Sequence, residues 1–338
     1  MATSETGMTA LTSPVVGRRA ILFVVDNIVW FVLAIALILF SMFIEDFFQF
    51  GIFMNIFRHA TFVGLMAIGL AMVIISGHLD LSIESTLAFA AMAAAWLVAT
   101  SGSGIGLPLP GLATLPVAVA IGLAVGWFNG FLVTRLHLSA FIVTLAAYIG
   151  VRGFGLVLSG GRSVYSLPDD FRWVAVASIG GVPVLGLIMV AAFLFFGFVL
   201  HYTRFGRYVY MVGGNSQALY RAGVSTKGVL TTVFVLSGLL AGIAGWLLAA
   251  RTNGATANLG LGMLFEVFAA VVIGGVSLSG GVGRLSGVFA GVLLLSSIDT
   301  AINLIGLEPY YMQVIRGGLV LVAVLLDSLK TTLHKRYT

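Results

Sequence analysis

The sequence predicts an all-α membrane protein, a polytopic bundle of about ten transmembrane helices with two broken spans and both termini cytoplasmic. Composition, the length of the apolar runs and the placement of basic residues lead there. Of 338 residues, 60% are hydrophobic and 9% charged, against about 25% charged in an average soluble domain. A mean hydropathy of +1.12 leaves too little polar surface to cover a soluble globule of this size, so lipid must cover the rest. The chain has no cysteine, which excludes a disulfide framework, a thiolate nucleophile and a cysteine-based metal site. The net charge of +5 is spread over the ends of apolar runs and not gathered in one stripe, so it signals topology and no nucleic-acid partner.

In lipid each backbone amide must be satisfied within its own segment, so long apolar runs are read as helices. Ten emerge, at roughly 20–44, 61–77, 83–100, 115–135, 139–159, 184–203, 228–250, 263–279, 285–306 and 312–329. The first follows Arg18 and Arg19 and is of spanning length, longer than the apolar core of a signal peptide, so it is expected to be retained. The chain divides into a cytoplasmic tail at 1–19, a transmembrane domain at 20–329 and a second cytoplasmic tail at 330–338. With both tails inside, Arg18, Arg19, Arg135, Arg204, Arg207, Arg221, Lys227, Arg284, Lys330, Lys335 and Arg336 fall on the cytoplasmic side. Only Arg58, Arg162, Arg172 and Arg251 fall outside, the asymmetry expected when basic residues resist translocation.

Glycines spaced by four (Gly122, Gly126 and Gly130; Gly238 and Gly242; Gly287 and Gly291) make small-residue ridges that let helix backbones approach closely. Two apolar stretches are interrupted in related ways. Ile75-Ser76-Gly77-His78-Leu79-Asp80-Leu81-Ser82 and Ile273-Gly274-Gly275-Val276-Ser277-Leu278-Ser279-Gly280-Gly281 both open on I-x-G and run on to a Leu-Ser pair. Paired interruptions in two halves point to an internal repeat with a solute path between the halves.

Ionisable groups inside spans are costly and usually functional; here they are Asp26, Asp80, Glu84, Arg152, Glu266, Asp299 and Arg316. Asp80 either caps a helix start at the first break or lines a path. Asp299, Asn303 and Ser296 share one helix face, and Arg316 is a possible partner of Asp299. Candidate path residues are His78, Asp80, Ser82, Glu266, Asp299 and Asn303. No catalytic or metal-binding residues are expected. The phosphate loop GxxxxGK[ST] and the HExxH pair are both missing, and no histidine is placed to serve Ser277 or Ser279 as a base.

The longest cytoplasmic stretch runs from Arg204 to Lys227 and contains Gly213-Gly214-Asn215-Ser216-Gln217-Ala218-Leu219-Tyr220-Arg221-Ala222-Gly223. Asn215 suits a helix N-cap and Gly223 the position just past a C-terminus, framing a two-turn helix about 10 Å long. It is either a structured loop or a docking knob for a soluble partner, with Ala218, Leu219 and Ala222 on one face.

Four stretches together resemble the ribose-type permeases of bacterial ABC sugar importers: Gly77–Ser82, Phe141–Leu145 with Arg152-Gly153, Gly213-Gly214-Asn215, and Ala269–Gly275 continuing through Ser279–Gly283. The resemblance covers roughly residues 50 to 328. It implies a multi-pass permease of the bacterial inner membrane, with ten helices per subunit and two such subunits, identical or paralogous, around a central path. It also implies a separate ABC ATPase that uses ATP and Mg²⁺ and grips Gly213, Gly214, Asn215, Ala218, Leu219, Ala222 and Gly223. A periplasmic solute-binding protein would deliver the solute and meet Arg162, Arg172 and Arg251. The chain itself would bind no cofactor and do no covalent chemistry. It departs from the family's usual glycines at His78 and Glu84 and from its asparagine at Asp299, which bears on the solute. The function expected is import of a sugar or sugar-like solute by alternating access. An ion-coupled secondary transporter or an amino-acid importer permease are the alternatives.

Overall fold

The computed structural model describes residues 27–306 and isolated helical positions between 311 and 325. Among the described residues there are eleven α-helices: α1 (Ile28–Phe43), α2 (Phe50–Ile75), α3 (Ile83–Val98), α4 (Leu115–Arg135), α5 (Ala140–Ser159), α6 (Asp169–Val176), α7 (Val184–Tyr202), α8 (Arg204–Arg221), α9 (Thr226–Thr252), α10 (Met263–Ile273) and α11 (Leu285–Ile305). Six of these elements are long and apolar enough to cross a membrane: α2, α4 with the 3₁₀ turn that leads into it, α5, α7, α9 and α11. Three shorter apolar helices, α1, α3 and α10, complete the bundle. These nine correspond to the first nine apolar runs. The tenth run falls largely outside the described residues, as do Asp26, Arg316 and both tails.

Two boundaries differ from the sequence expectation. Helix α2 begins at Phe50 and not at 61, so Arg58, expected in an outer loop, lies inside it. Polar residues at 55, 58 and 59 interrupt the apolar pattern before 61, but within the helix Asn55 and Arg58 are three apart on one face and Arg58 Nη1 donates to Asn55 Oδ1 at 2.9 Å. Helix α10 stops at Ile273, short of 279, because the chain turns there on Gly275.

Helices α2 and α9 are buried along most of their length, whereas α4, α5 and α7 bury roughly one face and leave the other for lipid or a partner. The glycine ridges explain how α4 and α9 lie so close. A Cβ on Gly122 would stand 2.2 Å from Gly238 O, one on Gly126 2.3 Å from Phe234 O, and one on Gly242 2.4 Å from Ala118 O. Likewise, Cβ atoms on Gly287 and Gly291 would meet Gly274 O and Ala270 O at 2.1 and 2.3 Å, locking α11 to α10. These contacts are backbone on backbone, which only small residues permit.

Short strands β1 (Ser101–Gly102), β2 (Val164–Tyr165) and β5 (Gly254–Ala255) form an antiparallel sheet in the order β1-β2-β5, and β3 (Ser178–Ile179) pairs with β4 (Val182–Pro183). The first sheet ties the loops after α3, α5 and α9 together at one end of the bundle. Helix α8 lies at the other end, together with Arg135, Lys227 and Arg284 at the nearby helix termini.

Candidate functional site

The two broken spans end with the same device. After α2, Gly77 N donates to Ile74 O (2.8 Å) and His78 N to Val73 O (3.1 Å); after α10, Gly275 N donates to Val272 O (2.9 Å) and Val276 N to Val271 O (3.2 Å). Each is a Schellman closure with glycine in the left-handed region, at φ 80° for Gly77 and 87° for Gly275. The I-x-G spacing therefore encodes a repeated structural stop, as the paired interruptions suggest.

The breaks also touch. Gly281 N donates to Ile75 O at 2.8 Å, and a Cβ on Gly280 would stand 2.8 Å from Gly77 Cα. Onto this junction sits the middle of α8: a Cβ on Gly213 would fall 1.9 Å from Ile75 O and 2.5 Å from Gly281 N. Tyr210 Oη donates to Gly283 O at 2.8 Å, a second tie between α8 and the second break.

Helix α8 is longer than the expected two turns, because a full helical segment precedes Asn215. Asn215 leaves helical geometry (φ −157°, ψ 85°), and its Oδ1 accepts from Ala218 N at 2.9 Å, the N-cap the sequence predicts. Gly223 closes the helix at φ 78°, with Val224 N donating to Leu219 O at 3.3 Å. The expected contact face needs correction. Leu219 is 1% exposed and joins the bundle's own core, so it is not open to a soluble partner, and Gly213 packs on the junction. Ala218 and Ala222 of the expected set are exposed, as is Tyr220 beside them. Of the expected face only Leu219 turns inward, because its side chain packs into the bundle's core.

Asp80 is buried, and its carboxylate accepts three hydrogen bonds. Ser82 N (3.0 Å) and Ser82 Oγ (2.6 Å) reach Oδ1, and Ser237 Oγ from α9 reaches Oδ2 at 2.8 Å. Asp80 thus holds the residue that precedes α3 through Oδ1 and ties it to α9 through Oδ2. Ser82 is buried too, its hydroxyl also accepting from Asn129 Nδ2 at 2.8 Å. His78 is half-buried, its Nδ1 2.9 Å from Ser76 O.

A second group gathers midway along the bundle. Glu84, in the first turn of α3, is 1% exposed. Its Oε1 accepts from Arg152 Nη2 of α5 at 2.5 Å and from Tyr148 Oη at 3.3 Å, and its Oε2 accepts from Gly262 N (2.9 Å) and Leu264 N (3.0 Å) at the start of α10. The guanidinium lies 5.0 Å from the centre of the Tyr148 ring, and Arg152 Nη1 makes a long 3.4 Å contact with Asn258 Oδ1. Glu84 and Arg152 stand out in the sequence as ionisable residues inside spans, but nothing there pairs them. Tyr148 and Asn258 carry no sequence signal beyond their type.

Elsewhere, Glu266 of α10, Asp299 of α11 and His59 of α2 bring ligand-type atoms within 4.8 Å of one another. This is the one grouping among the described residues with the donor types for a metal ion, and all three side chains already have interaction partners. Ser296 and Asp299 are buried while Asn303 is exposed, so the polar stripe of α11 divides between protein and surface. Arg162 and Arg251 lie close in sequence to β2 and β5, and the sheet thus draws them to one end of the bundle. Arg172 lies on α6, 3.6 Å from Asp169 Oδ1.

Residues 52–324 match the family model described as branched-chain amino acid transport system / permease component. The chain belongs to this permease family. It is 35% identical over 289 residues to the ribose import permease protein RbsC of Escherichia coli K12, covering 84% of this chain and 88% of that one. To the L-arabinose ABC transporter permease protein AraH of Azospirillum brasilense it is 37% identical over 268 residues, covering 79% and 77%. To RbsC of Bacillus subtilis it is 35% identical over 280 residues, covering 82% and 85%. No solved structure matches the chain. As a permease of this family with six spanning helices among its described residues, it is a multi-pass protein of the inner membrane.

Proposed function

We propose that this chain is the membrane-spanning subunit of an ATP-driven importer for a pentose or a related neutral sugar. Its near full-length similarity to permeases named for ribose and arabinose carries the reading. In it, two permease subunits, identical or paralogous, enclose the path, and a separate ATPase hydrolyses MgATP. A periplasmic binding protein delivers the solute. Both termini are cytoplasmic, with ten spans between them. The ATPase contacts the exposed side of α8 around Ala218, Tyr220 and Ala222. Because the middle of α8 is packed on the junction of the two broken spans, a displacement of α8 moves both breaks at once, which suits alternating access.

The description of the matching family favours a second reading, an importer of branched-chain amino acids. Reconstituted proteoliposomes holding permease, ATPase and binding protein separate the two. Uptake of labelled ribose or arabinose that vanadate stops and an uncoupler leaves intact is expected. Leucine uptake without pentose uptake sustains the second reading, and uncoupler-sensitive uptake sustains an ion-driven carrier.

Arg162, Arg172 and Arg251 are proposed to meet acidic residues on the binding protein. As rim contacts they should govern encounter more than lasting affinity. Arg251→Glu is expected to slow uptake most at low ionic strength, since salt screens such steering. Uptake unchanged at every salt concentration removes Arg251 from the docking surface.

A further inference from the structure

We propose that Arg152, Asn258 and Tyr148, held in place by Glu84, form a station for the hydroxyl groups of an uncharged solute halfway along the translocation path. This rests on the importer reading above and adds to it a place and a chemistry.

Depth comes first. Glu84 lies fourteen residues before Val98, the last residue of α3, which is about 21 Å from the sheet end at 1.5 Å per residue. Arg152 lies twelve residues past Ala140, the first residue of α5, about 18 Å from the α8 end on the same scale. Both distances place the pair well inside a hydrocarbon layer about 30 Å thick. Between β5 and α10 the chain is irregular, so residues 256–262 descend from the sheet end to Glu84 without forming a helix, and in that segment Asn258 and Leu261 are exposed. Irregular exposed backbone at such depth is not found against lipid; it lines water or protein. The face carrying Asn258 and the 13%-exposed Arg152 side chain therefore looks into the path.

Charge comes next. A helix that starts inside the bundle points free amides and a partial positive charge at the middle of the path, a ready site for an anion. Here that site is already filled: Glu84 accepts from the Gly262 and Leu264 amides and also neutralises Arg152. No unspent positive charge is left for a solute carboxylate. What remains is neutral hydrogen bonding. Among the described residues Arg152 Nε has no partner, and Nη1 has only the long contact to Asn258. The Asn258 amide both donates and accepts, as a sugar hydroxyl does. The Tyr148 ring holds the guanidinium in position from one side.

The test uses the reconstituted complex of permease, ATPase and binding protein, with ribose and arabinose as probes. The binding protein sets the affinity for external solute, so losing a contact inside the path should lower the number of sugars carried per ATP hydrolysed and leave the KM for uptake unchanged. Arg152→Lys keeps a cation opposite Glu84 but loses the other donors; Asn258→Leu removes the amide at an exposed site. Each is expected to assemble and to retain ATPase activity stimulated by the binding protein, with sugar per ATP reduced about tenfold, the effect of one or two lost hydrogen bonds. If both variants carry the wild-type number of sugars per ATP, the station is wrong while the importer reading stands. If neither variant yields an assembled complex, these groups hold the bundle together and bind no solute, which also overturns it. A wild-type complex that carries neither pentose overturns the pentose reading of the importer instead.

Discussion

Gly213→Val is expected to abolish uptake, although Gly213 lies outside the apolar spans. The helix propensity of α8 alone favours replacing this glycine with any residue but proline, by up to about 1 kcal/mol for alanine. Packing opposes it. The first side-chain carbon would land 1.9 Å from Ile75 O and 2.5 Å from Gly281 N, both backbone atoms that cannot rotate aside. Those two atoms are also joined to each other by the hydrogen bond that binds the two breaks. Forcing them apart costs an overpacking penalty of about 1–3 kcal/mol or more and lifts α8 off the junction. Gly214→Ala is the control. Its new methyl group would meet only Gly281 Cα, at 3.9 Å, an ordinary contact. Proteoliposomes with Gly214→Ala should import normally. With Gly213→Val, permease should still be found in the membrane, since the spans insert independently of α8, while uptake and stimulated ATPase both fall to background. Normal uptake by Gly213→Val would mean that α8 transmits nothing through this contact.

Asp80→Ala is expected to cost the most stability. Removing the carboxylate leaves the Ser82 amide and hydroxyl and the Ser237 hydroxyl without their acceptor in a buried site. Each unsatisfied group costs about 1–3 kcal/mol. The loss should appear as a large drop in the melting temperature of the detergent-solubilised protein, together with low yield. Asp80→Asn keeps one acceptor oxygen and should fall between. A variant with alanine at 80 that melts like the parent would show that these hydrogen bonds are dispensable and return Asp80 to the list of path residues. Leu219→Asp, by contrast, is a poor probe of the ATPase contact. Because Leu219 is buried in the chain's own core, a charge there should unseat the end of α8 before any partner is involved, so Tyr220→Asp is the cleaner probe of ATPase contact.

Much of the bundle is legible in the sequence because lipid imposes local rules. A segment in hydrocarbon must satisfy its own backbone, so nine helices among the described residues follow from apolar runs, with boundaries close to those found at 115–135 and 184–203 but not at the start of α2 or the end of α10. Close helix contact requires small residues, so the spacing of Gly122, Gly126, Gly238 and Gly242 marks faces that can approach closely, although which helices meet there comes only from the structure. The stops at Gly77 and Gly275 and the cap at Asn215 are likewise local, each needing only the backbone geometry of its own turn.

What the tertiary structure alone decided concerns partners far apart in the chain. Residue types reveal that Glu84 and Arg152 are costly inside a span, but only the fold brings Glu84 to Arg152 and to the amides of Gly262 and Leu264. Spacing marks an apolar face at Leu219 but not whether that face turns to the bundle or to a partner. The two breaks look alike in sequence, yet their hydrogen bond from Gly281 to Ile75, and the seating of Gly213 upon it, depend on how three distant segments pack. Periodicity and capping act over one or two turns of helix and are written in neighbouring residues. The pairing of charges and the contact of backbones across the bundle depend on the relative placement of whole helices, which no short stretch of sequence contains.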